Sequence, residues 1–107
     1  MANSFKNAGT AVGDTRTVLY TCPAGSEAVI HALFISNVDG SIQGSVNIEI
    51  TVDGGTTYRH IGKNIPIPPD STLTLEKPIN LESNDKIALT ATQANVLEVV
   101  ASILEVN

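Results

Sequence analysis

The chain has 107 residues, enough for one small domain with its own core but not for two. Six Lys and Arg stand against eleven Asp and Glu, a formal net charge of −5, and phosphate binding needs clustered cations, so nucleic acid is excluded as a ligand class. A single cysteine excludes an internal disulfide, and no run approaches the roughly 18 apolar residues of a membrane span.

The chain begins Met-Ala-Asn-Ser-Phe-Lys-Asn, without the apolar core of a signal peptide, which points to a soluble domain made in the cytoplasm. Residues 1–12 read as an extended N-terminal arm, rich in Ala, Gly and Asn and anchored by little beyond Phe5. Such a segment orders only by pairing with a sheet edge, on its own subunit or a neighbour's. Residues 13–107 read as one domain. Thr15 to Cys22 is a strand stopped by Pro23-Ala24-Gly25.

Val46 to Val52 is the clearest strand: Val46, Ile48, Ile50 and Val52 point one way, and Asn47, Glu49 and Thr51 the other. Asp53-Gly54-Gly55 supplies positive φ angles for a tight turn, and Thr56 to Ile61 runs back as a hairpin partner. The three prolines of Ile65-Pro66-Ile67-Pro68-Pro69-Asp70 remove backbone donors and bar this segment from the interior of a sheet. Leu73 and Leu75 alternate with Thr72, Thr74 and Glu76; Ile87, Leu89 and Ala91 alternate with Lys86, Ala88, Thr90 and Thr92. No ten-residue window keeps a 3.6-residue apolar period, so no helix is predicted. The pattern predicts an antiparallel two-sheet β-sandwich of about eight strands, jelly-roll or immunoglobulin-like.

Two strands are apolar on both faces. Ala28 to Ile35 places Ala28, Ile30, Ala32 and Phe34 on one face and Val29, His31, Leu33 and Ile35 on the other. Val96 to Val106 places Leu97, Val99, Ala101 and Ile103 on one face and Val96, Val100, Leu104 and Val106 on the other. A two-layer sandwich covers only the inner face, so the outer one meets a loop, the N-terminal segment or another subunit. The candidate interface with another subunit is therefore Phe5, Val29, His31, Leu33, Ile35, Val100, Leu104 and Val106.

No constellation of catalytic or ligating residues stands out. His31 and His60 lie on different strands, outside any metal-ligand spacing; His31 reads as a hydrogen-bonded structural histidine and His60 as a surface one. Cys22 has no neighbouring base and reads as a small buried filler, while Ser26 and Ser36 lack the glycines of a nucleophile elbow. Asp39, Asp53, Asp70 and Asp85 all fall at turns, where an Asp caps local amides. The expectation is no catalytic residue, no cofactor, no metal, no nucleic acid and no membrane partner.

Three stretches resemble small virion proteins of tailed bacteriophages: Leu19-Tyr20-Thr21-Cys22-Pro23-Ala24-Gly25, Leu33-Phe34-Ile35-Ser36-Asn37-Val38-Asp39-Gly40, and Ile65 to Leu73 followed by Pro78-Ile79-Asn80-Leu81-Glu82-Ser83-Asn84-Asp85-Lys86-Ile87. Asn84 stands where Gly is common in that family, and Asn tolerates the left-handed turn. The resemblance implies a virion structural protein: a capsid decoration (cement) protein, made in the host cytoplasm and resident on the virion, binding itself as a homo-oligomer, possibly a trimer, and the major capsid or other virion proteins. A neck, tail, fibre or baseplate component is the alternative within that class. Outside it stands a host-glycan-binding module using the loops Asn37–Gly44 and Asp53–Thr56.

Overall fold

The computed structural model describes residues 3–107, so residues 1 and 2 of the expected arm lie outside the described residues. Nine strands follow in order: β1 (Asn3–Val12), β2 (Thr17–Thr21), β3 (Glu27–Asn37), β4 (Gly44–Thr51), β5 (Arg59–Ile67), β6 (Thr72–Leu75), β7 (Ile79–Leu81), β8 (Lys86–Ala91) and β9 (Leu97–Val106). All regular structure among the described residues is strand.

The pairing is that of a long antiparallel ribbon folded on itself. Its tip is the β4–β5 hairpin, and behind the tip β3 pairs with β6 and β7, β2 with β8, and β1 with β9. Wrapping the ribbon adds β9 beside β3 and β8 beside β4. One sheet then reads β1-β9-β3-β6, with β7 also on β3, and the other reads β2-β8-β4-β5. This is the jelly-roll topology, and it decides between the two sandwiches the residue pattern allows. The count is nine rather than eight because the partner of β3 breaks at Glu76-Lys77-Pro78, where proline removes a ladder donor.

The core lies between the sheets. Val12, Ile30, Leu33 and Ile35 meet Leu97, Val99, Ala101 and Ile103 on one side, and Val46, Ile48, Ile67, Ile87 and Leu89 on the other. Buried Asn37 donates to the carbonyls of Ile42 and Ile67 at 2.8 and 2.9 Å and accepts from the Asp39 amide at 2.9 Å, so its burial leaves no polar atom unpaired. The tip turn holds Gly54 and Gly55 at φ 79° and 104°. Asp53 accepts from the Thr56 and Thr57 amides, which delays the returning strand to Arg59. Val52, read as core-facing, lies beyond the end of β4 and is exposed. β5 carries Pro66 but sits at a sheet edge, where a missing donor costs nothing in the ladder. Asn84 is in the left-handed region at φ 71°, as the turn requires.

The segment read as an arm is β1, which pairs with a sheet edge of its own subunit at β9, from Asn3 opposite Val106 to Val12 opposite Leu97, one of the two placements the sequence left open. One expectation is corrected, and it concerns β3. Its register against β9 slips between Ile30 and Ala32, a β-bulge at His31 that reverses which face the following residues occupy. Leu33 and Ile35, read as interface residues, are 0% exposed in the inter-sheet core, whereas Ala32 and Phe34 turn outward. His31, read as a hydrogen-bonded structural histidine, is exposed on the bulge.

The bulge sets a sharp comparison. Leu33→Ala should cost about 2–5 kcal/mol, as for a fully buried Leu, while Phe34→Ala should cost under about 1.5 kcal/mol, read by denaturant unfolding of the two variants. Equal losses would contradict the phase reversal.

Candidate assembly face

A two-layer sandwich leaves two outer faces, and here they differ in kind. On the β1-β9-β3 face, cross-strand register aligns Phe5, Leu104 and Val29 in one row and Gly9, Val100 and Phe34 in another. Asn7, Ser102 and Ala32 lie between the rows, and Val106 extends the patch toward the sheet end. Phe5 is 82% exposed; Phe34 and Val100 are exposed as well, and Val29, Leu104 and Val106 are half-buried. Glu27, opposite Val106, and Glu98, opposite Ser36, bound the patch at its two ends. An apolar centre with a polar rim is the anatomy of a contact surface.

The β8-β4-β5 face is polar. Glu49 points outward from the middle of β4 yet is only 5% exposed, because Arg16 folds over it from the β1–β2 connection. The guanidinium makes a two-pronged contact, Nε to Oε1 at 3.2 Å and Nη2 to Oε2 at 3.0 Å. Its other side stacks on Tyr58, with the guanidinium carbon 3.9 Å from the ring centroid. His60 Nε2 stands 3.8 Å from the same carboxylate. The Glu49 charge on this face is thus paired within an internal clamp that ties two loops to the sheet.

A second polar tie spans the layers. Glu105 points inward from β9 and is 4% exposed; it accepts a hydrogen bond from the Tyr20 hydroxyl and pairs with Lys6 Nζ at 2.9 Å. The Tyr20 hydrogen bond, then Lys6, hold the Glu105 carboxyl below the ordinary value of 4.5. Burial, then the same hydrogen bond, pushes the Tyr20 phenol up. Lys6 belongs to β1, Glu105 to β9 and Tyr20 to β2, so the tie joins the edge strand to both sheets.

Of the interface residues read from sequence, Phe5, Val29, His31, Val100, Leu104 and Val106 share the outer face of one sheet, and Leu33 and Ile35 do not. Phe34 and Ala32 were missed; the signal for them is His31 itself, a polar break in an apolar run where a bulge reverses the phase. Cys22 is buried, and burial pushes its thiol up. In the loop Asn37–Gly44, Asp39 accepts from the Ser41 and Ile42 amides. In the loop Asp53–Thr56, Asp53 caps its own turn, and just beyond the loop Tyr58 lies under Arg16. Among the described residues, no three His, Cys, Asp or Glu side chains gather as a metal site.

No family model and no curated protein matches the chain. Solved structures share its fold. A chain of the acid-stable capsid of Helicobacter pylori bacteriophage KHP30 is similar at TM-score 0.55 and 17% identity, over 100% of this chain and 94% of that one. A subunit of the disulfide-linked pili of Bacillus endospore appendages gives TM-score 0.60 and 11% identity, over 97% and 85%. A chain of the infectious bursal disease virus T13 particle gives TM-score 0.58 and 11% identity; this chain, 96% covered, spans 30% of that one. The class of protein so defined is a single jelly-roll domain.

The interlayer tie predicts an acid limit. A carboxyl whose folded value lies below its unfolded one stabilises the fold above the unfolded value, and that contribution is lost as pH falls through the folded value. Stability should therefore decline below about pH 4.5. Thermal melts of Glu105→Gln against pH should show a lower plateau and a shallower decline, the remainder coming from Asp39 and Asp53, whose capping amides also lower their values. An unchanged slope would show that Glu105 does not set this limit.

Proposed function

We propose that the chain is a structural subunit of a bacteriophage virion, a decoration (cement) protein that binds and stiffens the head lattice as a homo-oligomer. The observation carrying this reading is the sidedness of the sandwich. One outer face presents Phe5, Val29, Phe34, Val100 and Leu104, and the other carries a closed polar clamp around Glu49. A subunit laid on a protein surface needs one adhesive side and one wet side, and many copies of a weak contact add up to a strong shell. The partner for the apolar side is the major capsid protein, and the net charge of −5 suits a station outside the packaged nucleic acid.

Neck, tail, fibre or baseplate placement uses the same surface at lower copy number. Glycan binding finds less support, because the loop carboxylates cap their own backbone and Tyr58 is covered by a guanidinium. A covalently linked filament like the Bacillus appendages needs accessible thiols, and Cys22, the chain's single cysteine, is buried with its thiol pushed up.

On a gel of purified particles the chain should co-migrate with heads at a copy number comparable to that of the major capsid protein. Val100→Asp should abolish particle binding and leave the melting temperature within a few degrees of the parent, while Ser41→Ala in the Asn37–Gly44 loop should change neither. Copies confined to a few per particle would move the chain to the neck or tail; binding by Val100→Asp at the parent level would overturn the adhesive face.

A further inference from the structure

The four sheet edges of the jelly roll are not protected alike. β2 has five residues and a bulge between Val18 and Tyr20. β6 has four residues and β7 three, separated by Pro78. β5 carries Pro66 and two register shifts against β4, with Arg59 and Lys63 along it. Each is blunted by devices that natural edges use against pairing.

β1 has none of them. It runs ten residues, Asn3–Val12, without proline, acid or register shift, and it pairs with β9 on one side only. Its one charge, Lys6, is drawn toward Glu105 at 2.9 Å and does not guard the edge. Every second residue of such an edge offers its N–H and C=O to the open side. Phe5, on this edge, is 82% exposed, the most exposed large apolar side chain among the described residues.

Gly9 adds an independent clue. Glycine inside a strand weakens it and marks a close approach of something else. Here it is not needed by its own fold: its φ is not positive, and an added Cβ would meet Val99 O at 3.4 Å and Val100 Cγ2 at 3.6 Å, ordinary contact.

We infer that two copies of this chain join edge to edge through antiparallel β1 strands, about a two-fold axis normal to the sheet near Asn7 or Ala8. This deepens the homo-oligomer part of the proposed function and rests on it only there. Such a pairing is isologous, so one row of donors and acceptors serves both copies. It keeps outer-facing residues opposite outer-facing residues. With the axis at Asn7, Phe5 faces the second copy's Gly9, and Lys6 faces Ala8; with the axis at Ala8, Phe5 faces Ala11, and Lys6 faces Thr10. A bulky ring meets a small residue in both registers, and with the axis at Asn7 that residue is a glycine, the arrangement by which an aromatic covers an edge glycine; neither register sets lysine against lysine. The product is one continuous sheet in which the two apolar faces lie side by side toward the lattice.

Sedimentation of the purified full chain should show a concentration-dependent dimer. Phe5→Ala should raise its dissociation constant about tenfold or more. With the axis at Asn7, Gly9→Val, which fills the slot opposite Phe5, should give a monomer; with the axis at Ala8 it should leave the dimer in place. Oxidised Asn7→Cys or Ala8→Cys should form a linked dimer, whichever axis is used, and this readout stands if Gly9→Val fails to fold. A monomer at every concentration, no linked dimer from either cysteine, or a dimer lost in Val100→Asp and indifferent to Phe5→Ala would overturn the pairing. Failure of the virion reading is seen separately, as absence of the chain from purified particles.

Discussion

A sandwich of two layers can hide one face of each sheet and no more, and the consequences of that limit run through the whole molecule. β9 lies between β1 and β3 and is apolar on both sides. Its Leu97, Val99, Ala101 and Ile103 enter the core, so Val100 and Leu104 are left on the outside, with no element among the described residues packed over them. The bulge at His31 then selects what β3 adds beside them: Leu33 and Ile35 go in, Phe34 comes out. Without that extra residue the core would lose two large side chains and the surface would gain them.

The polar residues follow the same division. Inside, the carboxylate of Glu105 is tolerated because a hydroxyl and an ammonium reach it from two other strands. On the wet outer face, Arg16 closes over Glu49 and Tyr58 backs the guanidinium, so the carboxylate at the middle of this side is paired within the chain. Charge that is already paired within the chain offers little to a partner, whereas uncovered apolar area offers desolvation wherever a complementary surface arrives. The fold therefore distinguishes its two sides by what each has left unspent.

Much of this was legible in the residues. Strict alternation in Val46 to Ile50 gave the direction of β4, Asp53-Gly54-Gly55 marked the ribbon tip, and the inner residues of β9 could be assigned one by one. The phase of β3 beyond His31 could not, because a period of two carries no notice of an inserted residue. β1 was illegible for a different reason: its small and polar side chains hold little strand preference, and it is ordered by the ladder to β9, a partner far along the chain. The burial of Glu49 depends on Arg16, 33 residues away, a contact that topology creates and local pattern cannot announce. The choice of jelly roll over an immunoglobulin-like sandwich likewise rests on pairing order, which alternation leaves open.

A decoration protein of this shape has its β1-β9-β3 outer face covered on the particle and its β8-β4-β5 face open to solvent. Hydroxyl-radical footprinting of the free chain against the chain on intact heads tests this most directly, because Phe34 reports on one face and His60 on the other. The account predicts strong protection of Phe34 on the head with His60 as reactive as before. Protection of His60 with Phe34 unchanged, or of neither, would contradict it.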